Sequence, residues 1–303
     1  MPSLGSQARR KANPTPGQRL RAAMKAGPLM VPGVINALHA KMAERAGFQA
    51  IYLSGAVLSA TLGMPDVGLV TANEFIDQCR HLTAATSLPL ISDADTGFGE
   101  ALNVERVVKQ FCAAGVAGIH LEDQEMPKRC GHLSGKRLVS SEAMCAKLRA
   151  AAAARTDPGF VLIARTDARG VTGFDDAVER ARAYLEAGAD VIFVEALKSA
   201  EEFRLFALAV EGPLLANMTE FGQSPPLPFN ELARMGYRLV IYPVTAFRLA
   251  MKAAEVMLAT LKAEGTQESL VPHMLTRQEL YDYLGYAGYE ERDRVYFAPS
   301  APS

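Results

Sequence analysis

Eight short runs of apolar residues recur along the chain, and each of them ends in polar residues. Runs without a polar residue at every second position are typical of strands that are buried on both faces, as parallel strands are. The stretches between the runs place apolar residues at helical spacing and stop near a glycine, as in DDAVERARAYLEAGAD from Asp175. The predicted strands are LMVPGVIN from Leu29, AIYLSG from Ala50, LPLISDAD from Leu88, AGIHLED from Ala117, FVLIARTD from Phe160, VIFVEA from Val191, PLLANM from Pro213 and RLVIYPV from Arg238.

Strands that alternate with helices in this way predict an α/β fold, and we expect a (β/α)8 TIM barrel. A doubly wound open sheet is the alternative. One helix, TPGQRLRAAMKAG, precedes the first strand, and helices over residues 245–290 follow the last, where Thr276 and Glu279 predict a capping box. No linker rich in proline, glycine or serine divides the chain, so we expect one domain over residues 1–303, with residues 1–15 as a flexible arm.

Composition and charge narrow the range of partners. With 303 residues, of which 49% are hydrophobic, the chain can bury one large core. Its formal net charge of -1 gives no reason to expect nucleic acid or a membrane, so a small molecule is the expected ligand. Four cysteines without a CxxC pair, and no apolar segment of signal or membrane length, favour a cytoplasmic location. A mitochondrial presequence is the less favoured alternative, since no acidic residue precedes Glu44.

Polar residues close the predicted strands. In a barrel of this type the carboxyl ends of the strands carry the chemistry, so we expect these side chains to gather at one rim. They are Ser54 and Gly55, Asp93 and Asp95, Glu122 and Asp123, Arg165 and Asp167, Glu195, and Asn217 and Thr219.

Asp93 and Asp95 are two residues apart at the end of one strand, so their carboxylates point the same way, as a shared hard cation requires. Asp66 and Glu122 could reach the same ion directly or through water. The alternative is that the two aspartates cap loops or pair with arginines. The surrounding acids, and the sequence TGFG that follows, favour a site for Mg²⁺ or Mn²⁺.

Three arginines indicate recognition of an anion. The guanidinium groups of Arg165, Arg248 and Arg277 could each bind a carboxylate through two hydrogen bonds. Surface ion pairs are the alternative for Arg248 and Arg277, which lie on predicted helices. Phosphate is less favoured, because the loops after the last two strands lack a glycine-rich turn.

Cys130 lies in a long connection, residues 124–139, that predicts no regular element. Connections of this length tend to be functional covers, and Gly131 and Gly135 offer hinges. A zinc ligand and a covalent nucleophile are alternative roles for the thiol, although no second Cys/His pair and no triad accompany it. Nearby positive charge is expected to lower its pKa and favours proton transfer. The groups concerned are Lys128, Arg129, Lys136 and His132.

Eight motifs resemble those of the isocitrate lyase and phosphoenolpyruvate mutase superfamily. YLSG, GMPDVG, SDADTGFG, GIHLEDQ, KRCGHLSGK, IARTDA, ANMTEFG and YPVTAFR follow in its order and spacing, and KRCGH is specific for its lyase branch. The resemblance extends from about Pro16 to Tyr289. It implies a TIM barrel, a homotetramer that exchanges a C-terminal helix between neighbours, and a requirement for Mg²⁺ or Mn²⁺.

The resemblance also assigns roles to individual residues. At one of these positions the chain departs from the family, because Ala56 stands where the family has the second glycine of SGG. The implied sets are Asp93, Asp95, Asp66 and Glu122 for the metal; Cys130, Tyr52 and Arg165 for catalysis; and Ser54, Gly55, Ala56, Gly131, His132, Glu195, Asn217, Thr219, Arg248 and Arg277 for the substrate.

The reaction implied by the resemblance is retro-aldol cleavage of 2-methylisocitrate to pyruvate and succinate, in the methylcitrate cycle of propionate catabolism. Tyr52 would be the base that takes the hydroxyl proton, and Cys130 the acid that protonates the succinate carbanion beside Arg165. Apolar Phe193 and Ile241, and the absence of tryptophan, favour the methylated substrate. Isocitrate and 2,3-dimethylmalate are the alternative substrates.

Two other classes of function remain open at this point. One is an aldolase that forms a Schiff base through Lys128. The other is a catalytically silent barrel that binds dicarboxylates as a sensor. Phosphonate mutase chemistry is disfavoured, because Cys130 would be surplus to it.

Overall fold

The computed structural model describes residues 13–298, and eight parallel strands form its centre. They are β1 (Leu29–Pro32), β2 (Ile51–Leu53), β3 (Leu90–Asp93), β4 (Gly118–Glu122), β5 (Val161–Thr166), β6 (Val191–Val194), β7 (Leu214–Asn217) and β8 (Tyr237–Tyr242). From β2 to β8 each strand pairs with the next one in sequence, and β8 pairs with β1. Between β1 and β2 the barrel closes through one bridge, Gly33 to Tyr52. The predicted TIM barrel is confirmed, and the doubly wound alternative is wrong.

Helices surround the barrel and extend it at both ends. They are α1 (Pro16–Ala26), α2 (Ala37–Arg45), α3 (Gly55–Thr61), α4 (Ala72–Ala85), α5 (Ala101–Ala113), α6 (Ser141–Ala153), α7 (Phe174–Glu186), α8 (Ala200–Ala209), α9 (Phe229–Met235), α10 (Thr245–Glu264), α11 (Arg277–Leu284) and α12 (Tyr286–Phe297). Two short 3-10 turns lie at Ala168–Gly170 and Glu268–His273. The predicted capping box of Thr276 and Glu279 is present at the start of α11.

Apolar side chains form two buried groups, one inside the barrel and one between the strands and the helices. Val31, Ile163 and Leu215 belong to the inner group, whereas Phe111 on α5 and Tyr184 on α7 belong to the outer one. Successive residues of a strand point to opposite faces, so a strand covered on both sides has no place for a polar residue before its end. This explains why the sequence shows continuous apolar runs.

Helix α1 closes the amino-terminal end of the barrel. Its Leu20 is fully buried in the inner group. Thr15 caps the helix, and Asp157 accepts hydrogen bonds from the Thr15 hydroxyl at 2.6 Å and the Gly17 N–H at 2.9 Å. The backbone of Gly17 lies so close to that of Gly159 that a Cβ added to Gly17 would be 2.3 Å from the Gly159 carbonyl carbon.

The three C-terminal helices, α10 to α12, form an arm that the barrel does not cover. Within the described part of the chain, none of their side chains is buried. The arm nevertheless carries many large apolar residues, which include Leu249, Val256, Leu258, Val295 and Phe297. Large apolar side chains that are exposed together often mark an interaction site.

Two expectations about the organisation of the chain stay predictions. Residues 1–12, the greater part of the predicted flexible arm, lie outside the described residues. The single-domain organisation stays a prediction. Among the described residues, the structure contains no helix with the length and apolar character needed to cross a membrane.

Gly17→Ala should destabilise the protein, because the new methyl group meets backbone atoms that cannot move aside cheaply. We expect the free energy of unfolding to fall by about 1–3 kcal/mol, the usual range for overpacking. Gly27→Ala, at the other end of α1, is the matched control, since a Cβ there has nothing within 4 Å. Urea denaturation of both variants measures the difference, and equal stabilities would contradict the close contact.

Candidate active site

A pocket of about 260 Å³ opens at the carboxyl ends of the strands, where the sequence predicts the site. Gly55, Asp95 and Glu122 lie behind its wall, in contact with residues that line it. Arg277 is exposed on α11 and is absent from the described lining of the pocket, so the structure does not bring it to the site. The predicted residues that line the pocket are Tyr52, Ser54, Ala56, Asp66, Asp93, Cys130, Gly131, His132, Arg165, Glu195, Asn217, Thr219 and Arg248.

Asp93, at the end of β3, is held in a fixed direction. Its Oδ1 accepts the Asp95 N–H at 2.9 Å, and its Oδ2 accepts the Gly55 N–H at 3.1 Å. A Cβ at Gly55 would lie 2.7 Å from Oδ2, so only glycine permits this approach. Burial alone would raise the pKa of Asp93, but His120, Lys128 and Arg165 together hold it below its ordinary value.

The ammonium group of Lys128 lies among the acids that the sequence assigns to a metal. Its Nζ is 2.7 Å from Asp95 Oδ1 and also donates to Asp66 Oδ1, and its side chain is 3% exposed. Burial alone would lower the pKa of Lys128, yet Glu122, Asp95, Asp93 and Asp66 raise it far above its ordinary value. A Schiff base needs a neutral amine, so the aldolase hypothesis is disfavoured.

The acids around Lys128 carry more negative charge than one ammonium group balances. Burial and the neighbouring Asp93 raise the pKa of Asp95 to about 7, although Lys128 opposes the shift. Burial also raises the pKa of Glu122 well above its ordinary value, against the effect of Arg165. Asp95 Oδ1 and Glu122 Oε1 are buried and accept no hydrogen bond of good geometry. This part of the pocket therefore favours a further positive charge.

The donor set fits a hard divalent cation that keeps part of its water shell. Carboxylate oxygens are the ligands that Mg²⁺ prefers, and one or two of them suffice when water and substrate supply the others. In residues 13–298, however, no three His, Cys, Asp or Glu side chains converge as a ready metal cage. Asp93 and Asp95 as ligands, with Asp66 and Glu122 as outer support, stay a prediction.

Arg165, at the end of β5, is surrounded by carboxylates. Its Nε lies 3.0 Å from Asp167 Oδ2, and its two terminal nitrogens lie 3.4 Å from Glu122 Oε2 and Glu195 Oε2. Burial alone would lower the pKa of Arg165, but the three acids raise it well above its ordinary value. Its guanidinium also lies 5.1 Å above the Phe193 ring. Arg165 is thus a fixed positive charge on the pocket wall.

Lys136 joins the Cys130 loop to the same charge cluster. Its Nζ donates to Asp167 Oδ1 at 2.7 Å and to the Gly131 carbonyl oxygen. Asp167 is placed in turn by Asp123, whose Oδ1 accepts the Asp167 N–H at 2.9 Å. The Gly131 backbone lies against Arg165, because a Cβ added at Gly131 would be 2.3 Å from the guanidinium. The loop is therefore seated on β5 by buried charge.

The thiol of Cys130 has a raised pKa, which corrects the expectation from the sequence. Burial raises the pKa of Cys130, and the His132 N–H and Arg165 offset only part of this effect. The two lysines that were expected to lower the pKa of Cys130 are paired with acids instead, Lys128 with Asp66 and Lys136 with Asp167. Cys130 is thus protonated at neutral pH, which suits a proton donor better than a nucleophile or a metal ligand.

The pKa of Tyr52 is raised, whereas a tyrosine that acts as a base needs a lowered pKa. Burial and the charge of Asp93 raise the pKa of Tyr52 well above 10, so the hydroxyl keeps its proton. Its oxygen lies 2.7 Å from His120 Nε2, and burial lowers the pKa of His120. The structure therefore disfavours Tyr52 as the base and places it as a hydrogen-bonding wall of the pocket.

The mouth of the pocket is formed by the loop after β7. Arg248 donates to the Glu220 carbonyl oxygen at 2.6 Å and lies 5.0 Å from the Phe221 ring. It therefore lies at the mouth of the pocket and does more than form an ion pair on the surface. Phe221 is 95% exposed. Phe193 and Ile241 line the interior and make the apolar part of the wall.

Sequence reasoning missed three buried groups that shape the site. Lys136 was interpreted only as a neighbour of the thiol, and Lys128 as that or as a Schiff-base lysine, so neither was predicted to pair with a buried acid. His120 was not considered. The signal for His120 was available, because it lies mid-strand in GIHLED, where a continuous apolar run has no other polar residue. The partners of the two lysines are distant in sequence and could not be found in this way.

A model of the phosphoenolpyruvate phosphomutase family matches residues 20–262. A 2-methylisocitrate lyase of Aeropyrum pernix is 52% identical over 279 residues, which cover 92% of this chain and 90% of that protein. A 2-methylisocitrate lyase of Escherichia coli is 49% identical, with 94% and 98% covered. A crystal structure of 2,3-dimethylmalate lyase superposes with a TM-score of 0.88 at 35% identity, covering 95% of this chain and 97% of the other.

Lys136→Met should leave Arg165 as the partner of the buried Asp167 carboxylate without the second positive charge that Lys136 supplies. Removing one partner of a buried ion pair typically costs about 3–5 kcal/mol, so we expect a fall of that size in the free energy of unfolding. Lys109→Met is the matched control, because Lys109 pairs with Glu105 on an exposed helix face and should cost about 0.5 kcal/mol. Urea denaturation compares the two variants. A loss of stability in Lys136→Met no larger than in the control would show that the ion pair of Lys136 with Asp167 does not hold the loop on β5.

Proposed function

Because the chain belongs to the phosphoenolpyruvate phosphomutase family, we propose that it is a carbon–carbon lyase that cleaves 2-methylisocitrate to pyruvate and succinate. One observation carries this proposal: the protonated thiol of Cys130 lines the same pocket as Arg165 and Asp93. A retro-aldol cleavage of a hydroxy acid needs a base that takes the hydroxyl proton, a cation beside the carbanion that forms as the carbon–carbon bond breaks, and an acid that protonates this carbanion. We assign these roles to a carboxylate of the Asp93–Asp95 cluster, to Arg165 and to Cys130. The relatives named 2-methylisocitrate lyase support the choice of substrate.

The carboxylate cluster is proposed to hold Mg²⁺ or Mn²⁺ through Asp93 and Asp95, with Asp66 and Glu122 behind them. When bound, the cation would supply Lewis acidity to the oxygens of the pyruvate half of the substrate. The chain's own part is to orient these acids. Asp93 is aimed by the N–H groups of Gly55 and Asp95, so its direction does not depend on the ligand.

Arg165 is proposed to stabilise the negative charge that develops on the succinate half as the C2–C3 bond breaks. Its position is already fixed by Asp167 and by the face of Phe193, so little reorganisation is needed during the reaction. Cys130 then gives its proton to the new carbanion. Glu195, held by Asn217 at 3.2 Å, keeps His132 beside the thiol.

The substrate is proposed to carry a methyl group, because apolar side chains form one wall of the pocket. Phe193, Ile241 and the methyl of Ala56 line this wall. One methyl group contributes only about 1–3 kcal/mol to discrimination, so isocitrate should be a poorer substrate and not an excluded one. The second candidate is 2,3-dimethylmalate, which the similarity to the solved 2,3-dimethylmalate lyase favours.

The proposed pathway is the methylcitrate cycle of propionate catabolism, in the cytoplasm. The four cysteines of the chain are free thiols in the structure, and a reaction that needs the thiol of Cys130 suits a reducing compartment.

The C-terminal arm is proposed to be exchanged between subunits of a homotetramer. Its exposed apolar residues, such as Leu249 at 68% and Leu258 at 62% exposure, lie on α10, which leads directly away from the pocket. Burying a leucine side chain contributes about 1.5–3 kcal/mol. Covering the arm with a second copy would therefore bury many of the large apolar side chains that are exposed in residues 13–298.

Cys130→Ser should lower the kcat for release of pyruvate from 2-methylisocitrate by about 100- to 10,000-fold, the usual contribution of a general acid. Cys112→Ser, on the outer helix α5, is the matched control and should keep its activity. A coupled lactate dehydrogenase assay with Mg²⁺ and a reductant measures both, with isocitrate and 2,3-dimethylmalate in parallel. Absence of pyruvate from 2-methylisocitrate in the parent enzyme would overturn the proposed substrate.

Removal of divalent cations with EDTA should abolish the same activity, and Mg²⁺ or Mn²⁺ should restore it. Because the acids around Asp95 repel one another, the cation should also raise the melting temperature of the protein. Asp95→Asn should lose this thermal shift, whereas Asp77→Asn, on the exposed face of α4, should keep it. Full activity in EDTA would contradict a metal requirement.

Leu258→Glu should shift the mass in solution from four chains towards fewer, because a charge would be buried at the proposed interface. Leu102→Glu is the matched control, since Leu102 is 81% exposed on α5, away from the arm. Light scattering coupled to size exclusion measures both variants beside the parent. A parent protein with the mass of one chain would contradict the exchange.

A further inference from the structure

Two buried residues of the Cys130 loop, Gln124 and Lys136, hold its backbone near the thiol. Gln124 holds the backbone of Arg129 through two hydrogen bonds, one from its side-chain amide and one to its side-chain oxygen, both at 2.9 Å. Lys136 holds the carbonyl oxygen of Gly131. These anchors lie on either side of Cys130, but neither reaches His132, the residue whose N–H points at the sulfur.

His132 is instead held from outside, by the loop that connects β7 to α9. The Gln223 backbone N–H donates to His132 Nδ1 at 3.0 Å, and the Gln223 side-chain amide donates to the His132 carbonyl oxygen at 2.8 Å. The adjoining Gly222 packs on the imidazole, since a Cβ there would lie 2.8 Å from two ring atoms. Two hydrogen bonds and one close backbone contact therefore converge on a single residue.

The contact also fixes the tautomer of His132. A backbone N–H can only donate, so Nδ1 must accept and the ring proton of the neutral imidazole lies on Nε2. Nε2 lies 3.2 Å from Glu195 Oε1, so the ring proton is on the side of this carboxylate. The imidazole is thus oriented from one side by Gln223 and from the other by Glu195.

We propose that Gln223 is a positioning residue that clamps His132 and thereby keeps the thiol of Cys130 inside the pocket. The proposal deepens the proposed function, since it names the group that places the proton donor of that reaction. Gln223 itself is exposed and lies outside the pocket lining described above, so it acts only through His132. Opening of the clamp would release the one part of the loop that Gln124 and Lys136 do not hold.

The test is the rate at which iodoacetamide alkylates Cys130, followed by peptide mass spectrometry in the absence of substrate. A hydrogen bond of ordinary net strength changes an equilibrium by about two- to tenfold. Gln223→Ala should therefore accelerate alkylation of Cys130 by about that factor, and Gly222→Ala, which pushes the loop off the ring, by at least as much. Ser224→Ala, in the same loop, is the matched control and should match the parent.

Cys112, which is partly exposed on α5, serves as the internal reference for each variant. A faster reaction at Cys130 with an unchanged rate at Cys112 supports the clamp. An unchanged rate at Cys130 in Gln223→Ala, or an equal acceleration at both cysteines, overturns it, because the second result reports general loosening of the fold.

Kinetics supply a second readout. Gln223→Ala should lower kcat by about two- to tenfold with a smaller change in KM, because the substrate contacts stay in place while the proton donor is misplaced. A change confined to KM would overturn the positioning role. The alkylation result does not depend on turnover, so a protein that fails to release pyruvate would refute the proposed function and leave the clamp standing.

Discussion

The pairing of buried charges at the mouth of the barrel is the constraint on which the site depends. A charge removed from water costs several kcal/mol unless an opposite charge and hydrogen bonds replace its solvation. Asp167 and Arg165 lie on or next to β5 and cannot satisfy each other completely, and the cation that completes them, Lys136, comes from the loop of Cys130. The electrostatics of the barrel thus determine where the loop lies.

The same requirement explains the behaviour of the thiol. Because Lys128 and Lys136 pair with Asp66 and Asp167, burial decides the pKa of Cys130, and the His132 N–H and Arg165 offset only part of its effect. This arrangement provides a proton donor in a pocket that otherwise selects ions.

The fold and the composition of the site could be predicted from the sequence because both depend on local pattern. Uninterrupted apolar runs identify strands covered on two faces, and parallel strands bring their carboxyl ends together, which placed Asp93 and Arg165 at one rim in advance. The pairing of Lys128 with Asp66, 62 residues away, depends on the loop conformation and leaves no periodic signal. The prediction that the pKa of Cys130 is lowered was wrong for this reason. The substrate-binding role of Arg277 stays a prediction, because its helix leaves the barrel of its own chain and the position of a residue in the sequence no longer fixes its neighbours there.

Backbone pairing around the barrel is uneven, because β1 and β2 are joined by fewer contacts than the other strands. Every other neighbouring pair of strands forms a ladder of registered residues, whereas this pair is joined by the Gly33–Tyr52 bridge and the hydrogen bond from the Val34 N–H to the Tyr52 carbonyl oxygen. Tyr52 is also the residue whose ring walls the pocket beside Ser54. Backbone pairing is therefore sparsest at the joint that carries Tyr52, so the shape of this side of the pocket depends on how two strands meet as well as on the loops.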